Sequence, residues 1–428
     1  MFSLSPEEIN LYLKITRPDY LVIYDDGFNY LTKMCLTNMR HAAFRMCTIA
    51  KDFGCKIVVS SSDSTDHSEE YINNGADFII IGEGENTLVE LIAGLESNKP
   101  TETIPGLVFK RGSGFIKTEP RKVLNDLDTL PMPAWDLINI GKYKNAWLKK
   151  NGYFSLNMVT TRGCPFKCNW CAKPIYGNRY NTRTPANVIA ELKYLLSTFK
   201  PQHIWFSDDI FGLKPGWVQE FARLIKNENL KFRFKIQARV DLLCKDDTIE
   251  QLSLAGCETI WVGAESGSQK ILDAMDKGIT INQIHKATSL MRMHGIKPAF
   301  FLQLGYPGET REDINLTMSM LFNLMPDDMG ISVSYPLPGT KFYENVKAGL
   351  NGKTNWTDSD ELAVMYKSPY STSYYKKLHR YIHKTFRKKQ GFATLAKIMK
   401  GKETISRKTI RRVLATAWYA PASWLSAL

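Results

Sequence analysis

The stretch LNMVTTRGCPFKCNWC, residues 156–171, joins an apolar run to a loop that carries three cysteines. The run LNMVTTR is typical of a buried strand, and Cys164, Cys168 and Cys171 follow it directly. Thiolates are the usual protein ligands of iron–sulfur clusters, and a four-iron cluster takes four of them. Three close cysteines therefore predict a cluster with one iron open to a substrate or cofactor.

A zinc site and chance clustering are the alternatives to an iron–sulfur centre. A structural zinc site needs a fourth Cys or His, and none lies within the thirty residues after Cys171. Three cysteines could also fall close together by chance. The residues alone favour an iron–sulfur centre over both, and at this point both stay open.

An alternation of strand and helix patterns continues after the cysteines. The predicted strands are 156–162, 203–209, 232–240, 259–266, 297–305 and 329–337, and the predicted helices are 186–199, 216–226, 246–255, 281–294 and 310–324. Six strands with five intervening helices predict a partial parallel (β/α)6 barrel. Chemistry is expected at the carboxyl ends of its strands.

The spacing CxxxCxxC directly after a strand, with Trp170 before the third cysteine, resembles the signature of the radical S-adenosylmethionine (SAM) superfamily. The resemblance implies a 4Fe-4S cluster on the three cysteines, whose open iron binds the amino and carboxylate groups of SAM, with Trp170 near the adenine. It also implies an enzyme that reductively cleaves SAM to a 5'-deoxyadenosyl radical. An electron donor such as flavodoxin or ferredoxin would supply the electron.

The same resemblance implies that residues following the later strands contact SAM. They are Ser207, Asp208, Asp209, Arg239, Glu265, Gly305 and Gly308. Structural alternatives remain for each group: a helix cap for the aspartates, a buried Arg239–Glu265 ion pair, and a plain turn for the glycines of GYPGET, residues 305–310.

Residues 18–95 predict a separate parallel sheet. PDYLVIYDD, CKIVVSSSD and ADFIIIGEGE are strand-like runs separated by helical patterns near 36–52 and 67–74. This region resembles the cobalamin-binding domain that precedes the barrel in one large class of radical SAM enzymes. The residues that the resemblance assigns to cobalamin are Ser60, Ser61, Ser62, Gly82, Glu83 and Gly84.

Two departures from that class bear on cobalamin binding. The sequence starts near the second strand of such a domain, so a first βα unit is predicted to be missing. Residues 1–100 also lack an Asp-x-His-x-x-Gly motif, so we expect no histidine ligand to cobalt. The alternative is a sheet that packs on the barrel and binds nothing.

Length and composition predict several domains in a protein that stays inside the cell. A chain of 428 residues, 44% apolar, is long enough for at least two cores. We predict a cobalamin-binding-like domain at 1–100, a hairpin and linker at 101–150, the barrel at 151–345 and a basic helical region at 346–428. No run of about 18 apolar residues occurs, so we expect a cytoplasmic protein without a spanning helix.

The other five cysteines are scattered singly along the sequence, which favours a buried, apolar role for each of them.

The net charge of +13 is concentrated at the C-terminal end. Residues 366–428, here called the basic tail, hold ten Lys and five Arg against one acid. The tail interleaves aromatic residues with cations at 373–389. This pattern suits helices that cap the barrel, an anionic membrane surface, or, less well, nucleic acid. His379 and His383 are predicted to face solvent.

The favoured reaction is cobalamin-dependent methylation of an unactivated carbon in a small-molecule or lipid-like substrate. An oxidative cyclase-like or other radical oxidoreductase or rearrangement reaction is the alternative. A methylthiotransferase is disfavoured because the last 90 residues do not resemble the small β-barrel that such enzymes append. The non-enzymatic alternative is an iron–sulfur sensor protein. Such a protein would need the three cysteines but not the residues that contact SAM, so the presence of those residues counts against it.

Overall fold

The computed structural model describes residues 5–24, 37–173, 175–350, 364–401 and 404–425. The chain divides into two compact units. The first contains residues 1–233 and 336–361, and the second contains residues 234–335 and 362–428.

The first unit opens with a five-stranded sheet. Its strands, in sheet order, are β1 (Tyr20–Tyr24), β2 (Lys56–Ser60), β3 (Phe78–Ile80), β4 (Leu107–Arg111) and β5 (Gly114–Lys117). The first three run parallel, and β4 and β5 form the predicted antiparallel hairpin, with Arg111 opposite Gly114. Its helices are α1 (Ile9–Thr16), α2 (Thr37–Asp52), α3 (Ser62–Asp66), α4 (Ser68–Asn73) and α5 (Gly84–Glu96). Consecutive residues Ile57, Val58 and Val59 are all buried, as expected for a parallel strand covered on both faces.

The rest of the first unit contains the three clustered cysteines, Cys164, Cys168 and Cys171. Its elements are α6 (Ile140–Asn151), β6 (Ser155–Met158), β7 (Thr161–Arg162), β8 (Asn181–Thr182), α7 (Pro185–Thr198), β9 (His203–Phe206) and α8 (Trp217–Asn227). Strand β6 pairs with β9 in parallel, and the short β7 pairs with β8 antiparallel. Residues 163–180, here called the cysteine loop, therefore leave and return at neighbouring backbone positions.

The second unit continues the predicted βα series. Its strands β10 (Arg233–Ala238), β11 (Cys257–Glu265), β12 (Lys297–Leu304) and β13 (Asp328–Val333) pair in that order, all parallel. Its first helices are α9 (Val240–Leu243), α10 (Thr248–Leu254), α11 (Gln269–Ala274), α12 (Ile281–Met293) and α13 (Arg311–Leu324). In chain order α14 (Lys341–Val346) follows, as part of the first unit. All six predicted barrel strands form, two in the first unit and four in the second.

The basic tail forms two helices, α15 (Thr372–Met399) and α16 (Arg407–Leu425), here called the helical hairpin. A Cβ on Gly391 of α15 would overlap the side chain of Thr416, so the helices approach closely there. Helix α15 also packs on its own unit: Phe386 is buried, Arg387 pairs with Asp328 at 3.0 Å, and the Gln390 amide donates to the Asp327 carbonyl at 2.9 Å. Helix α15 of the basic tail thus packs against the start of β13 in the second unit. Within the described ranges, no helix is long and apolar enough to cross a membrane.

The prediction that the tail histidines face solvent is wrong. His379 and His383 are half-buried on α15, with ring centroids 4.2 Å apart. Burial, with the neighbouring His379 adding to it, lowers the pKa of His383 to about 4. The two rings are therefore part of the helix packing.

The cysteines outside the cysteine loop are mostly buried. Cys47, Cys55 and Cys257 are buried and Cys244 is half-buried, as predicted for small apolar side chains. Cys35 lies outside the described residues.

Candidate functional site

The base of the cysteine loop is fixed by a short ladder and one glycine. Thr161 pairs with Thr182, and Arg162 pairs with Asn181. Gly163 has φ +80°, and a Cβ there would lie 2.3 Å from the Arg179 carbonyl oxygen. Only glycine fits this close crossing without displacing the backbone. Both ends of the loop are therefore held at one place beside the end of β6.

The three cysteine side chains lie within electrostatic range of one another. Burial raises the pKa of Cys171 to about 12, and the charges of Asp209, Cys168 and Cys164 add to this rise. Burial likewise raises the pKa of Cys164. A turn in which the Cys171 N–H donates to the Cys168 carbonyl at 3.2 Å brings the last two together. Bound cations reverse this tendency, because a coordinating thiol is deprotonated by the metal.

The donor set of the cysteine loop is three thiols, the ligand type that iron–sulfur clusters use. Within the described part of the chain, no three Cys, His, Asp or Glu side chains are gathered around one metal position. Zinc would require four ligands around a single tetrahedral centre. The thiolates of a four-iron cluster each bind a different iron, so they stand further apart than the ligands of one ion. The three thiols, which lie within electrostatic range of one another, are the candidate ligands of such a cluster.

Asp208 is a buried anchor for the strand that precedes the cysteine loop. Its carboxylate accepts hydrogen bonds from the N–H groups of Thr160 at 2.7 Å and Thr161 at 2.8 Å, and from the Thr160 hydroxyl at 2.6 Å. Burial raises its pKa to about 6, against the opposing effect of these hydrogen bonds. The carboxylate therefore joins the end of β9 to the backbone just before the cysteines.

Ser207 and Asp209, on either side of Asp208, are exposed. The charge of Asp209 acts on both Cys164 and Cys171, which places its carboxylate near the cysteine side chains. Desolvation raises the pKa of Asp209, and the Lys173 ammonium opposes the rise. Trp170 is half-buried in the same loop. An acidic group at this position suits a ligand ammonium group.

The loops that follow β2 and β3 lie side by side. A Cβ on Gly84 would stand 3.2 Å from Ser60 Oγ and 3.2 Å from the Tyr24 ring. Ser61 caps α3, because its hydroxyl accepts from the Ser64 N–H at 2.9 Å while Ser64 Oγ accepts from the Ser61 N–H at 3.0 Å. Ser62 is fully buried. Both predicted cobalamin-binding loops thus share the carboxyl edge of the sheet, where such sheets bind ligands.

Glu83 and Glu85 bind an arginine that the sequence patterns did not single out. Arg162 Nη1 donates to Glu83 Oε1 at 2.8 Å, and its Nη2 donates to Glu85 Oε1. The other Glu83 oxygen accepts from the Leu124 N–H. The Glu83 carboxylate, predicted to contact cobalamin, is therefore occupied by protein groups. Two sequence features could have indicated this contact: the acidic run GEGE, residues 82–85, and an unassigned arginine two residues before Cys164.

In the second unit, Arg239 and Glu265 have different partners. Arg239 Nε donates to Asp241 Oδ1 at 2.9 Å, and its Nη2 donates to the Lys277 carbonyl at 2.9 Å. Glu265 pairs with the Lys277 ammonium at 2.7 Å. The alternative of a direct Arg239–Glu265 ion pair is wrong, because the charge of each side chain is met by a different residue.

The GYPGET turn after β12 is held by a buried acid. Gly305 and Gly308 have φ +80° and +81°, values that favour glycine. Glu309, 1% exposed, accepts from the Gly305 N–H at 2.7 Å, and the Tyr366 hydroxyl donates to the Gly305 carbonyl. The described residues offer the second Glu309 oxygen, Oε1, no hydrogen-bond partner. Burial raises the pKa of Glu309 to about 7.

Comparison with known proteins gives matches over most of the chain. The model of the radical SAM superfamily matches residues 158–321. An uncharacterized methyltransferase of Pyrococcus horikoshii is 29% identical over 299 residues, which cover 69% of this chain and 64% of the relative. The anaerobic magnesium-protoporphyrin IX monomethyl ester cyclase of Synechocystis is 27% identical over 62% of this chain and 53% of the relative. The chain thus spans less than two thirds of the length of either relative.

The fold has a solved counterpart. The cobalamin-dependent SAM radical enzyme OxsB, with aqua-cobalamin bound, superimposes with a TM-score of 0.75 at 16% identity. The match covers 99% of this chain and 66% of OxsB. The predicted fold class is confirmed: an N-terminal parallel-sheet region, a parallel half-barrel and a helical C-terminal region.

Proposed function

We propose that this chain is a cobalamin-dependent radical SAM enzyme that methylates an unactivated carbon of a small-molecule or lipid-like substrate, a proposal supported by the match of the radical SAM model to residues 158–321. When bound, the cluster and SAM supply a 5'-deoxyadenosyl radical, and cobalamin supplies the methyl group. One observation carries the proposal: the cysteine loop and the loops after β2 and β3 belong to the same compact unit and are joined by Arg162.

The cysteine loop supplies the ligands and orientation for the cluster. Cys164, Cys168 and Cys171 bind three irons, and the fixed loop base keeps their spacing. Asp209, with Ser207 beside it, binds the methionyl ammonium of SAM, because Asp209 is exposed toward the thiols while Asp208 is used by Thr160 and Thr161. A charge-assisted hydrogen bond there selects the orientation of the bound methionine group.

The remaining SAM positions stay proposals of the same kind. Trp170 would hold the adenine. Gly305 and Gly308 are also proposed as SAM contacts, because their lack of side chains would permit close approach. Arg239 and Glu265 contact the ribose and carboxylate, with orientations fixed by Asp241 and Lys277. These contacts are tested by SAM affinity in the single variants, with Arg223→Lys, in an exposed pair with Glu220, as the control.

Cobalamin binding is supported by the shared edge of the loops after β2 and β3 and by the fold likeness to OxsB. The protein, reconstituted without oxygen, is expected to retain hydroxocobalamin through gel filtration. His41→Ala and His67→Ala should leave the corrinoid spectrum unchanged. Loss of all corrinoid with intact SAM cleavage would contradict the cobalamin part and leave a cobalamin-independent radical reaction.

A cyclase-like reaction is the second candidate, favoured by the 27% identity to the anaerobic cyclase. The products separate the two. A methylation whose methyl group comes from SAM would also use SAM as methyl donor, so S-adenosylhomocysteine should accumulate beside 5'-deoxyadenosine. A cyclase would yield 5'-deoxyadenosine alone. In either case a reducing partner such as flavodoxin or ferredoxin delivers the electron.

The helical hairpin is proposed to contact an anionic membrane surface. Each helix exposes an apolar row: Phe392, Leu395 and Met399 on α15, and Ile410, Leu414 and Trp418 on α16. The spacing puts each row on one side of its helix. Residues 388–418 add nine Lys and Arg against one Glu, so an acidic surface is the complementary partner. Four of the six exposed apolar side chains are not aromatic, which favours lipid over the base stacking of single-stranded nucleic acid.

Vesicle sedimentation tests this contact without truncating α15, which the second unit needs for packing. Leu414→Glu with Trp418→Glu should abolish binding to vesicles of phosphatidylglycerol and phosphatidylcholine. Changing Lys397, Lys400 and Arg411 to Ser should weaken it, whereas changing exposed Lys149 and Lys150 of α6 to Gln should not. Undiminished sedimentation of the charge and apolar variants, or stronger retention on single-stranded RNA than on vesicles, would contradict a membrane partner.

A further inference from the structure

Arg162 lies two residues before the first cysteine and bridges two carboxylates of another loop. Its guanidinium reaches Glu83 at 2.8 Å and also hydrogen-bonds Glu85. The side chains of Arg162 and Glu83 are only 16% and 6% exposed. A guanidinium donating to two carboxylates in a partly buried place fixes geometry as well as charge, which a lysine cannot reproduce.

Glu83 and Arg162, the two ends of this ion pair, are each held by further contacts with the protein backbone. Glu83 directly precedes α5, and its second oxygen accepts from the Leu124 N–H. The next residue, Gly84, lies against Ser60 at the end of β2. At the other end, Arg162 belongs to the β7–β8 ladder that closes the cysteine loop, and the Tyr176 ring of that loop lies 5.5 Å from the guanidinium. A displacement of either loop is therefore transmitted to the other.

We infer that Arg162 is a positioning residue that couples ligand binding at the loops after β2 and β3 to cluster binding in the cysteine loop. The inference rests on the proposed function, because the ligand of the first site is taken to be a corrinoid. Coupling of this kind is reciprocal: a cluster that orders the cysteine loop raises corrinoid affinity by the same factor by which the corrinoid raises cluster affinity.

The experiment compares hydroxocobalamin dissociation constants for the full chain with and without its cluster, by anaerobic equilibrium dialysis. In the wild type, cluster loading should tighten binding about fivefold or more, the lower range of allosteric coupling. Arg162→Lys should reduce this ratio to near one, because a single ammonium cannot hold both carboxylates in the fork geometry. Glu85→Gln should give an intermediate ratio.

Arg121→Lys is the matched control. Arg121 also makes a forked contact in the first unit, to Glu90 and the Thr87 hydroxyl, and its hydrogen bonds among the described residues are with α5 and not with the cysteine loop. It should keep the wild-type ratio. A wild-type ratio of one, or an unchanged ratio in Arg162→Lys, would overturn the coupling.

A second measurement decides the inference if no form of the protein binds corrinoid, which would be a failure of the proposed function. Hydrogen exchange of the amides in residues 82–96 should slow on cluster loading in the wild type and in Arg121→Lys. In Arg162→Lys it should not change. Equal slowing in all three forms would refute a role for Arg162 even without corrinoid.

Discussion

Glu309 gives the protein a stability that depends on pH in an unusual direction. Its carboxyl group is buried with one oxygen lacking a hydrogen-bond partner among the described residues, and its pKa is raised from 4.5 to about 7. The unfolded chain therefore releases this proton at lower pH than the folded chain. The contribution of Glu309 to stability is fully present below pH 4.5 and is lost as pH rises through 7. At 1.36 kcal/mol per pKa unit, the loss is about 3 kcal/mol.

The perturbation is Glu309→Gln. The amide oxygen can still accept from the Gly305 N–H, and the uncharged group removes the cost of ionisation in a buried place. The free energy of unfolding of the variant should rise relative to the wild type by about 2–3 kcal/mol between pH 5 and pH 8, with little difference at the acid end. Urea unfolding at a series of pH values, followed by tryptophan fluorescence, measures the gap.

Glu312→Gln is the control for this measurement, because Glu312 is exposed in the first turn of α13, three residues away. Its difference from the wild type should stay constant across the series. A gap for Glu309→Gln that is independent of pH, or that widens toward acid, would refute the assignment of a proton to Glu309 in the folded state.

Three further outcomes follow from the cysteine loop and its anchor. Changing Cys164, Cys168 or Cys171 to Ala should each abolish the visible absorbance of the reconstituted cluster and the release of 5'-deoxyadenosine; full iron content and cleavage in the triple variant would contradict the cluster assignment. Gly163→Ala should lower cluster loading because of the 2.3 Å contact with the Arg179 carbonyl, while Gly177→Ala, also at positive φ but with open space, should do so much less. Asp208→Asn keeps one oxygen for the N–H groups of Thr160 and Thr161, which already share Oδ1, but puts an amide NH2 where Oδ2 accepts from the Thr160 hydroxyl, which should cost about 1–3 kcal/mol in urea unfolding; an unchanged midpoint would speak against the anchor.

Local patterns predicted the elements of this protein well. Runs such as KPAFFLQLG carry their own strand signal, and β12 begins and ends within one residue of the predicted range. The order of strands then placed the cysteines and the turn FSDD, residues 206–209, at strand ends. The approximate position of the candidate site was therefore available from periodicity and motif alone.

The partners of individual side chains were not available in the same way. Arg162 and Glu83 are 79 residues apart, and Asp208 and Thr160 are 48 apart, so no local pattern records their contact. From the sequence alone, Asp208 and Asp209 are equally good candidates for a ligand contact. Only packing distinguishes them, because burial of Asp208 requires that its carboxylate be satisfied by protein groups.

The need of a buried carboxylate for protein partners distinguishes acids that hold loops in place from acids that are proposed to bind a ligand. Asp208 and Glu83 are buried and fully used, one by the backbone before the cysteine loop and one by Arg162 and Leu124. A buried carboxylate with all its partners in the protein would lose hydrogen bonds on turning to a ligand, at a cost of several kcal/mol if a charge is left unpaired. Asp209 has no such cost, since it is exposed beside the thiols. Among the acids of the turn 206–209 and of GEGE, residues 82–85, Asp208, Glu83 and Glu85 hold the loops through protein partners, and Asp209 is the one proposed for the cofactor.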